Sequence, residues 1–342
     1  MSRPGPVRYA PATRRGTVIA TLAVVAAGVS AFHHTVPNSP GRLGSLVESF
    51  LPWTGLVVVL LLVVALVRRS GLAVVALLLP VAVWVHGFGG LLLPASEPAS
   101  DGRELVVVQH NVSDENPDPE GTARALAASG SDLIALEELV VPALSTYEEV
   151  LGVRYPHHTV HGTVGLWSKY PISEAQLADI RPQGIEEGWS RGLRAVVRTP
   201  YGEVAAYVAH LPSVRIGAGG LASARRDESA RALGALVRGE KVRTVILMGD
   251  LNSTVEDRGL APLTSQLNVA ERGFAFSFPT AFPVARIDQV LARAATVDHI
   301  RTLPATGSDH LPVAARVTLD ATGRYGLSGG SFLPGAGHAW YG

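Results

Sequence analysis

Two short segments of this chain hold side chains suited to work on a phosphoester. Met248-Gly249-Asp250-Leu251-Asn252 sets a carboxylate and an amide two residues apart behind an apolar run, and Gly307-Ser308-Asp309-His310 sets a carboxylate beside an imidazole. Together they offer a metal ligand, a group to activate water and hydrogen-bond donors for phosphate oxygens, the parts that phosphoester hydrolysis requires. Asp250 and Asn252, on alternate positions at a strand end, point the same way, so one can position water while the other donates to a phosphate oxygen. Taken alone, Asp250-Leu251-Asn252 also reads as a strand-end turn, and Asp288 with His310 as a structural ion pair. The second carboxylate at Asp309 favours a site.

Such residues meet only if strands carry them to one place. Short β-type runs separated by turns fall at 104–111, 133–136, 164–168, 194–198, 204–209, 243–248, 287–292 and 313–319. Helices fit between some of them. Residues 119–128 open with Asp118 as N-cap and Pro119 at the first helical position, and 221–237 space Arg and Glu along a solvent face that includes Arg225-Arg226. The alternation is that of an α/β domain. His157-His158 falls in a loop, and His33-His34 at a membrane border; adjacent histidines rarely face one ligand together. The chain has no cysteine, which excludes a disulfide framework, a thiolate zinc site and a cysteine nucleophile.

The first hundred residues differ in kind. Runs at 17–36, 51–67 and 71–93 are apolar with no charged residue in their interiors and read as three transmembrane helices, the third containing Pro80. Arg3, Arg8, Arg14 and Arg15 precede the first run, and Arg68 and Arg69 lie between the second and third. Both basic sites belong on the cytoplasmic side, so three crossings leave residue 94 onward outside. Residues 1–31 also read as a signal peptide, with the same outcome for the domain. The expected organisation is a membrane anchor over 1–93, a Pro/Ser-containing linker over 94–103, a domain over 104–320 and a flexible Gly-rich tail over 321–342. Net charge is zero, but residues 1–100 hold seven Arg against two Glu, and the remainder 22 Lys plus Arg against 27 Asp plus Glu. An acidic domain weakens a nucleic-acid reading, which needs clustered cations to displace counterions.

The order of motifs resembles the endonuclease/exonuclease/phosphatase superfamily. Val106-Val107-Val108-Gln109-His110-Asn111, Ala135-Leu136-Glu137-Glu138, Gly165-Leu166-Trp167-Ser168-Lys169-Tyr170-Pro171-Ile172, Tyr207-Val208-Ala209-His210, Asp250-Leu251-Asn252, Arg286-Ile287-Asp288-Gln289-Val290 and Ser308-Asp309-His310 follow one another as in that family, over about 104–320. The resemblance implies a four-layer α/β sandwich of two mixed sheets flanked by helices, with the site at one end of the sheets. It also implies roles. Glu138 looks like the carboxylate that binds the divalent cation, Mg²⁺ or Mn²⁺, with Asn111 nearby and Asp309 adding to the metal or nucleophile side. His310 would contact the phosphate or the attacking water, Asp288 would hold its ring in one tautomer, and His210 would protonate a leaving oxygen. Arg191 or Arg194 would reach phosphate.

Two departures stand out. The position before the metal-binding Glu is usually Gln in that family and here is Glu137, so the ligand assignment stays open between Glu137 and Glu138. Some members place Asp two residues after Asn111; Ser113 stands there, and Asn116 is taken as the polar partner on the substrate side. The layout also resembles a membrane-bound bacterial subgroup that includes the teicoplanin resistance protein. The expected function is a membrane-anchored, metal-dependent phosphohydrolase acting outside the cytoplasm on a lipid-linked phosphate or pyrophosphate. The alternatives are an extracytoplasmic nuclease, a phospholipid or sphingomyelin phosphodiesterase, and an inactive lipid-phosphate-binding module.

Overall fold

Alternation along the strands decides which face each side chain covers. In β1 (Glu104–Asn111), Leu105 and Val107 point to the space between two sheets, while Val108 points to the helices outside. The structure, a computed structural model, describes residues 12–96 and 102–320, without the side chains of 12–15. The expected tail over 321–342, half of the linker (97–101), Arg3 and Arg8, and the side chains of Arg14 and Arg15 lie outside the described residues.

Beyond β1, the strands are β2 (Leu133–Glu137), β3 (His157–His161), β4 (Val164–Ser168), β5 (Ile172–Leu177), β6 (Gly192–Thr199), β7 (Gly202–Ala209), β8 (Ile216–Gly217), β9 (Gly220–Leu221), β10 (Thr244–Asp250), β11 (Asp288–Arg293), β12 (Ala295–Thr302) and β13 (Val313–Leu319). They form a sheet in the order β12-β13-β1-β2-β4-β3, a second in the order β11-β10-β7-β6-β5, and a β8-β9 ribbon. Both large sheets are mixed, with β1–β2 and β10–β7 parallel and the other pairs antiparallel. Leu105, Val107, Leu193, Val208, Ile246 and Val290 fill the space between the sheets.

The N-terminal helices are α1 (Ala12–Ala31), α2 (Leu43–Ser49), α3 (Thr54–Val67) and α4 (Gly71–Phe88). The domain helices are α5 (Pro119–Ala128), α6 (Ala143–Gly152), α7 (Ala224–Gly239) and α8 (Ala261–Thr264). Of these, α5 and α6 cover the outer face of the six-stranded sheet, and α7 and α8 that of the five-stranded one. The four layers are helices, sheet, sheet, helices. Asp118 caps α5 by accepting from the Gly121 N–H at 2.9 Å, as the sequence suggested. His157-His158 lies in β3 and not in a loop, where His158 stacks on Trp167. Arg226 is buried, contrary to a solvated helix face; it pairs with Asp257 at 2.6 Å, whereas Arg225 is exposed.

The three apolar runs are helical, and α1, α3 and α4 pack together through Ile19, Ala23, Val58, Ala65, Ala73 and Leu77. Their outer faces expose Leu22, Leu60, Val63, Val75 and Leu78. Among the described residues, one helical stretch, Gly71–Leu92, is long and apolar enough to cross a membrane. Leu43–Ser49 with Leu51–Val67 passes the same measure only as a single span bent by 62°, and the apolar helix Gly16–Ala31 is shorter. The count is therefore one or two, not the three expected. The chain breaks at Phe50, where a 3₁₀ turn over Leu51–Trp53 precedes α3.

The N-terminal helices touch the domain through one end of their bundle. The Glu48 carboxylate accepts from Arg258 Nε and Nη2, both at 2.8 Å, and Arg42 pairs with Asp227. Trp53 Nε1 donates to the Val284 carbonyl at 2.7 Å. At the opposite end, Ser70 caps α4 by accepting from the Ala73 N–H, next to Arg68 and Arg69.

Candidate active site

Five strand ends meet at one rim of the paired sheets. β1 and β2 run parallel and finish on Asn111 and Glu137, which are register partners. β10 finishes on Asp250, opposite Asp288 at the start of β11, and runs parallel to β7, which leads into His210. The turn into β13 brings His310 to the same rim, with the Ser308 hydroxyl donating to the Asn111 carbonyl at 2.7 Å. Gly249 allows the closest of these approaches: its φ is +152°, and a Cβ there would lie 1.9 Å from the Ala209 carbonyl oxygen. Glu138 and Asn252, just past their strands, hold φ of 60° and 48°, the left-handed backbone that non-glycine residues adopt at a cost.

Asp288 orients His310. The ring Nδ1–H donates to Asp288 Oδ2 at 2.9 Å; Ser277 Oγ donates to the same oxygen, and Gln109 Nε2 donates to Oδ1 at 2.9 Å. Nε2 therefore points out of the pair, 3.8 Å from Asp250 Oδ2. Against the upward push of burial, the His310 charge and these hydrogen bonds hold the Asp288 carboxyl below its ordinary range. Burial works against a charged His310 ring, but Asp288 and Asp250 outweigh it and raise its pKa to about 10. The ring is an imidazolium at neutral pH.

Asp250 is 1 % exposed. Burial, opposed by His310 and reinforced by Asp288, raises its pKa to about 7. The Asn252 backbone N–H donates to Oδ1 at 2.9 Å, and the Asn111 amide donates to Oδ2 at 3.1 Å. The same Asn111 NH₂ group donates to Glu138 Oε1 at 3.0 Å, and His210 Nε2 lies 3.7 Å from both carboxylates. Glu138, Asp250, Asn111 and His210 thus form one face of the site and His310 the other. Ligand atoms of Asp250, Asp288 and His310 all lie within 4.8 Å of one another.

Several residues sit differently from the roles expected of them. Asn252 gives one amide hydrogen to the Leu211 carbonyl at 2.9 Å and the other to Asp250 at 3.3 Å, so it holds Asp250 and has none left for phosphate. Burial first, then Arg191 and His310, lower the His210 pKa to about 3. A neutral imidazole keeps one ring N–H but is a far weaker acid than imidazolium, so His210 is poorly suited to protonate a leaving oxygen. Arg191 Nη1 lies 3.3 Å from His210 Nδ1, with its guanidinium over Trp189, which places it at the rim. Arg194 lies on the helix-covered face of its sheet, held by Glu240 at 2.6 Å and Glu174 at 2.9 Å, and does not reach the cluster. β6 shows alternate residues to opposite faces, and Arg194 falls on the outer set with its register partner Tyr207. Asn116 spends its amide on Val112, Thr122 and the Asp118 N–H, closing its own loop. The Asp309 side chain is exposed and stands outside the Asp250, Asp288 and His310 group, while its carbonyl accepts from Thr280. Sequence reasoning missed Gln109, which links Glu137 to Asp288, and Ser277 and Phe278, which contact Asp288 and the His310 ring. The alternation of β1 was enough to place Gln109 on the site face.

The model of the endonuclease/exonuclease/phosphatase family matches residues 108–310, more than half of the chain. The chain belongs to that family. It is accordingly a phosphoric ester hydrolase. An endonuclease/exonuclease/phosphatase family protein from Bacteroides thetaiotaomicron is similar at 17 % identity and a TM-score of 0.51, covering 66 % of this chain and 100 % of that one. D. rerio TDP2, solved with a single-strand DNA product, is similar at 18 % identity and a TM-score of 0.52, over 63 % of this chain and 98 % of that one. Staphylococcus aureus beta toxin is similar at 17 % identity and 0.50, over 62 % and 99 %. At these identities the likeness is one of fold. No curated protein matches the chain at a significant level.

Hydrolases of this family use a divalent cation, and the donor set here suits one. Two carboxylates, Glu138 and Asp250, converge in a largely buried rim, and their shared hydrogen-bond partner is the NH₂ of a neutral amide. Oxygen donors of this kind favour a hard cation such as Mg²⁺ or Mn²⁺. Glu137, the departure from the family pattern, is deeper and accepts from Gln109 Nε2 at 2.8 Å. Burial, then Asp288 and Asp250, push its carboxyl well above the usual range.

Proposed function

We propose that this chain is a membrane-anchored, Mg²⁺- or Mn²⁺-dependent phosphohydrolase that acts outside the cytoplasm on a lipid-linked phosphate or pyrophosphate of the cell envelope. The observation that carries the chemistry is the opposition, across 3.8 Å, of a buried carboxylate with a raised pKa and an imidazolium fixed by a second carboxylate. Asp250 faces His310 across the space an attacking water would enter, and its carboxylate is placed to take that water's proton. His310 Nε2–H faces the phosphate and offsets the negative charge that grows on its oxygens, while Asp288 keeps that hydrogen pointed outward. Asn252 and Asn111 keep Asp250 in place, and Arg191 adds positive charge at the rim. A cation held by Glu138 and Asp250, with Asn111 beside them, would supply a Lewis acid for the phosphate oxygens.

Two observations support the membrane reading. The outer surfaces of α1, α3 and α4 are apolar, and every anchor–domain contact described above comes from one end of the bundle, opposite Arg68 and Arg69. Basic residues at that far end assign it to the cytoplasm. A site tethered at a bilayer meets lipid substrates at high effective concentration. Glycopeptide resistance is the finer part of the proposal and rests on the layout of the chain alone. The test uses the full chain in nanodiscs with Mg²⁺, offered prenyl pyrophosphates, phospholipids and plasmid DNA, beside Asp250→Ala and His310→Ala. Lipid turnover lost in both variants supports the proposal; turnover that survives both, or falls on DNA alone, removes it. Metal-dependent lipid binding without turnover favours a binding module.

A further inference from the structure

Residues 273–278 join the anchor to the catalytic imidazole. Ala275 turns inward to the core between the sheets, and Ser277 donates to Asp288. Their alternate neighbours face the other way. Phe274 stacks on Trp84 and Phe276 on Trp53, with ring centroids 6.3 and 5.4 Å apart, and Phe278 lies 4.8 Å from the His310 ring. Between this aromatic row and helices α3 and α4 is a pocket of about 450 Å³, lined by Trp53, Leu56, Val59, Trp84, Val85 and Phe276 among others, with no charged side chain. That volume is within the roughly 300–1,000 Å³ of small-ligand sites. The indole N–H groups of its lining are already used: Trp53 donates to Val284, and Trp84 to the Pro52 carbonyl at 2.8 Å. The pocket offers an occupant only apolar contact. Leu56, Val59 and Val85 are also more than half exposed on the helix surfaces, so its mouth opens on the apolar exterior of the bundle.

We infer that this pocket seats the hydrocarbon chain of a phosphate-bearing lipid and that the row of Phe274, Phe276 and Phe278 leads its polar end to His310. This deepens the function proposed above and relies on it for the headgroup chemistry and for the bilayer around the helices. The apolar helix surface around the pocket's mouth, indole N–H groups already bonded within the protein and the approach of Phe278 to His310 select an alkyl or prenyl chain over a polar ligand. Each methylene buried there strengthens binding about fourfold.

The experiment uses the full chain in nanodiscs containing phosphatidic acid with a diazirine midway along one acyl chain. Photolysis is expected to label Trp53, Trp84 or Phe276, and filling the pocket with Val59→Trp to reduce that label at least fivefold. Val59→Ala, which enlarges the pocket without crowding the helix, retains it. With Mg²⁺, Val59→Trp is expected to raise KM for the long-chain ester at least tenfold and to leave hydrolysis of water-soluble bis(p-nitrophenyl) phosphate within twofold. Label confined to the outward residues Val63 and Leu78, or unchanged by Val59→Trp, overturns the inference even where His310-dependent turnover is present. Label in the pocket of a chain that hydrolyses neither ester upholds the seat and sinks the hydrolase proposal instead.

Discussion

Asp250 and His310 share a buried space in which each has a higher proton affinity than in water, and this gives the site its pH response. Both folded pKa values lie above the unfolded ones, so the cation-free fold draws stability from these groups at low pH. It loses that stability as pH rises, through about 7 for Asp250 and about 10 for His310. In chelator, the melting temperature is expected to fall between pH 6 and pH 9, and the rise produced by Mg²⁺ to grow over the same interval; a flat response would remove the assigned charge states. The same proton competes with the cation. Calorimetric Mg²⁺ affinity should weaken as pH drops below about 7, by up to roughly tenfold per unit, and Asp250→Asn should abolish that dependence. Asp288→Asn removes the charge that sustains the imidazolium, so the alkaline limb of kcat/KM is expected to move down by at least about one unit from near 10. An unmoved limb would assign it to another group.

At the scale of elements, two contacts hold the rim together. The close pass of β10 beside β7 depends on Gly249, and Gly249→Ala forces a methyl group against the Ala209 carbonyl. A loss of about 3 kcal/mol in denaturant unfolding, the upper end for overpacking, is expected, with a fall in kcat because Asp250 and His210 lie one residue from the clash. Wild-type stability in that variant would mean the strands can part freely. Arg226 of α7 is buried against Asp257, in the loop that follows Asp250 and Asn252. Arg226→Ala leaves that carboxylate buried without its counter-ion and is expected to cost roughly 3–5 kcal/mol in the same measurement. Strands built on apolar runs, such as β1, β7 and β13, were legible in the chain. β3, β5 and β12 were not: β3 is only partly buried, β5 is mostly exposed, and β12 carries a bulge between Val297 and His299, so none keeps a clean period.

For the whole molecule, the N-terminal helices are seated on the domain by Glu48 with Arg258 and by the Trp53 hydrogen bond to Val284, which ties the direction of the helices to the direction of the site. A reporter fused at Arg69 is expected to signal from the cytoplasm and one fused after Pro94 from outside; a cytoplasmic signal from the second would reverse the proposed sidedness. The sequence by itself determined the family, the α/β alternation, the apolar character of the first hundred residues, and the likeness of the Asp250, Asp288 and His310 motifs to a phosphoesterase centre. Those features are local: residue types at fixed spacings, read through the periods of helix and strand. Only the tertiary structure decided that Glu138 shares Asn111 with Asp250 while Glu137 is buried with its carboxyl pushed above the usual range, that Arg194 faces away from the cluster, that Asn116 closes its own loop, and that His210 is held as the neutral imidazole. Each of those outcomes depends on which face a side chain meets and how much water is excluded there. Both are set by elements distant in the chain, whose packing no short stretch of sequence contains.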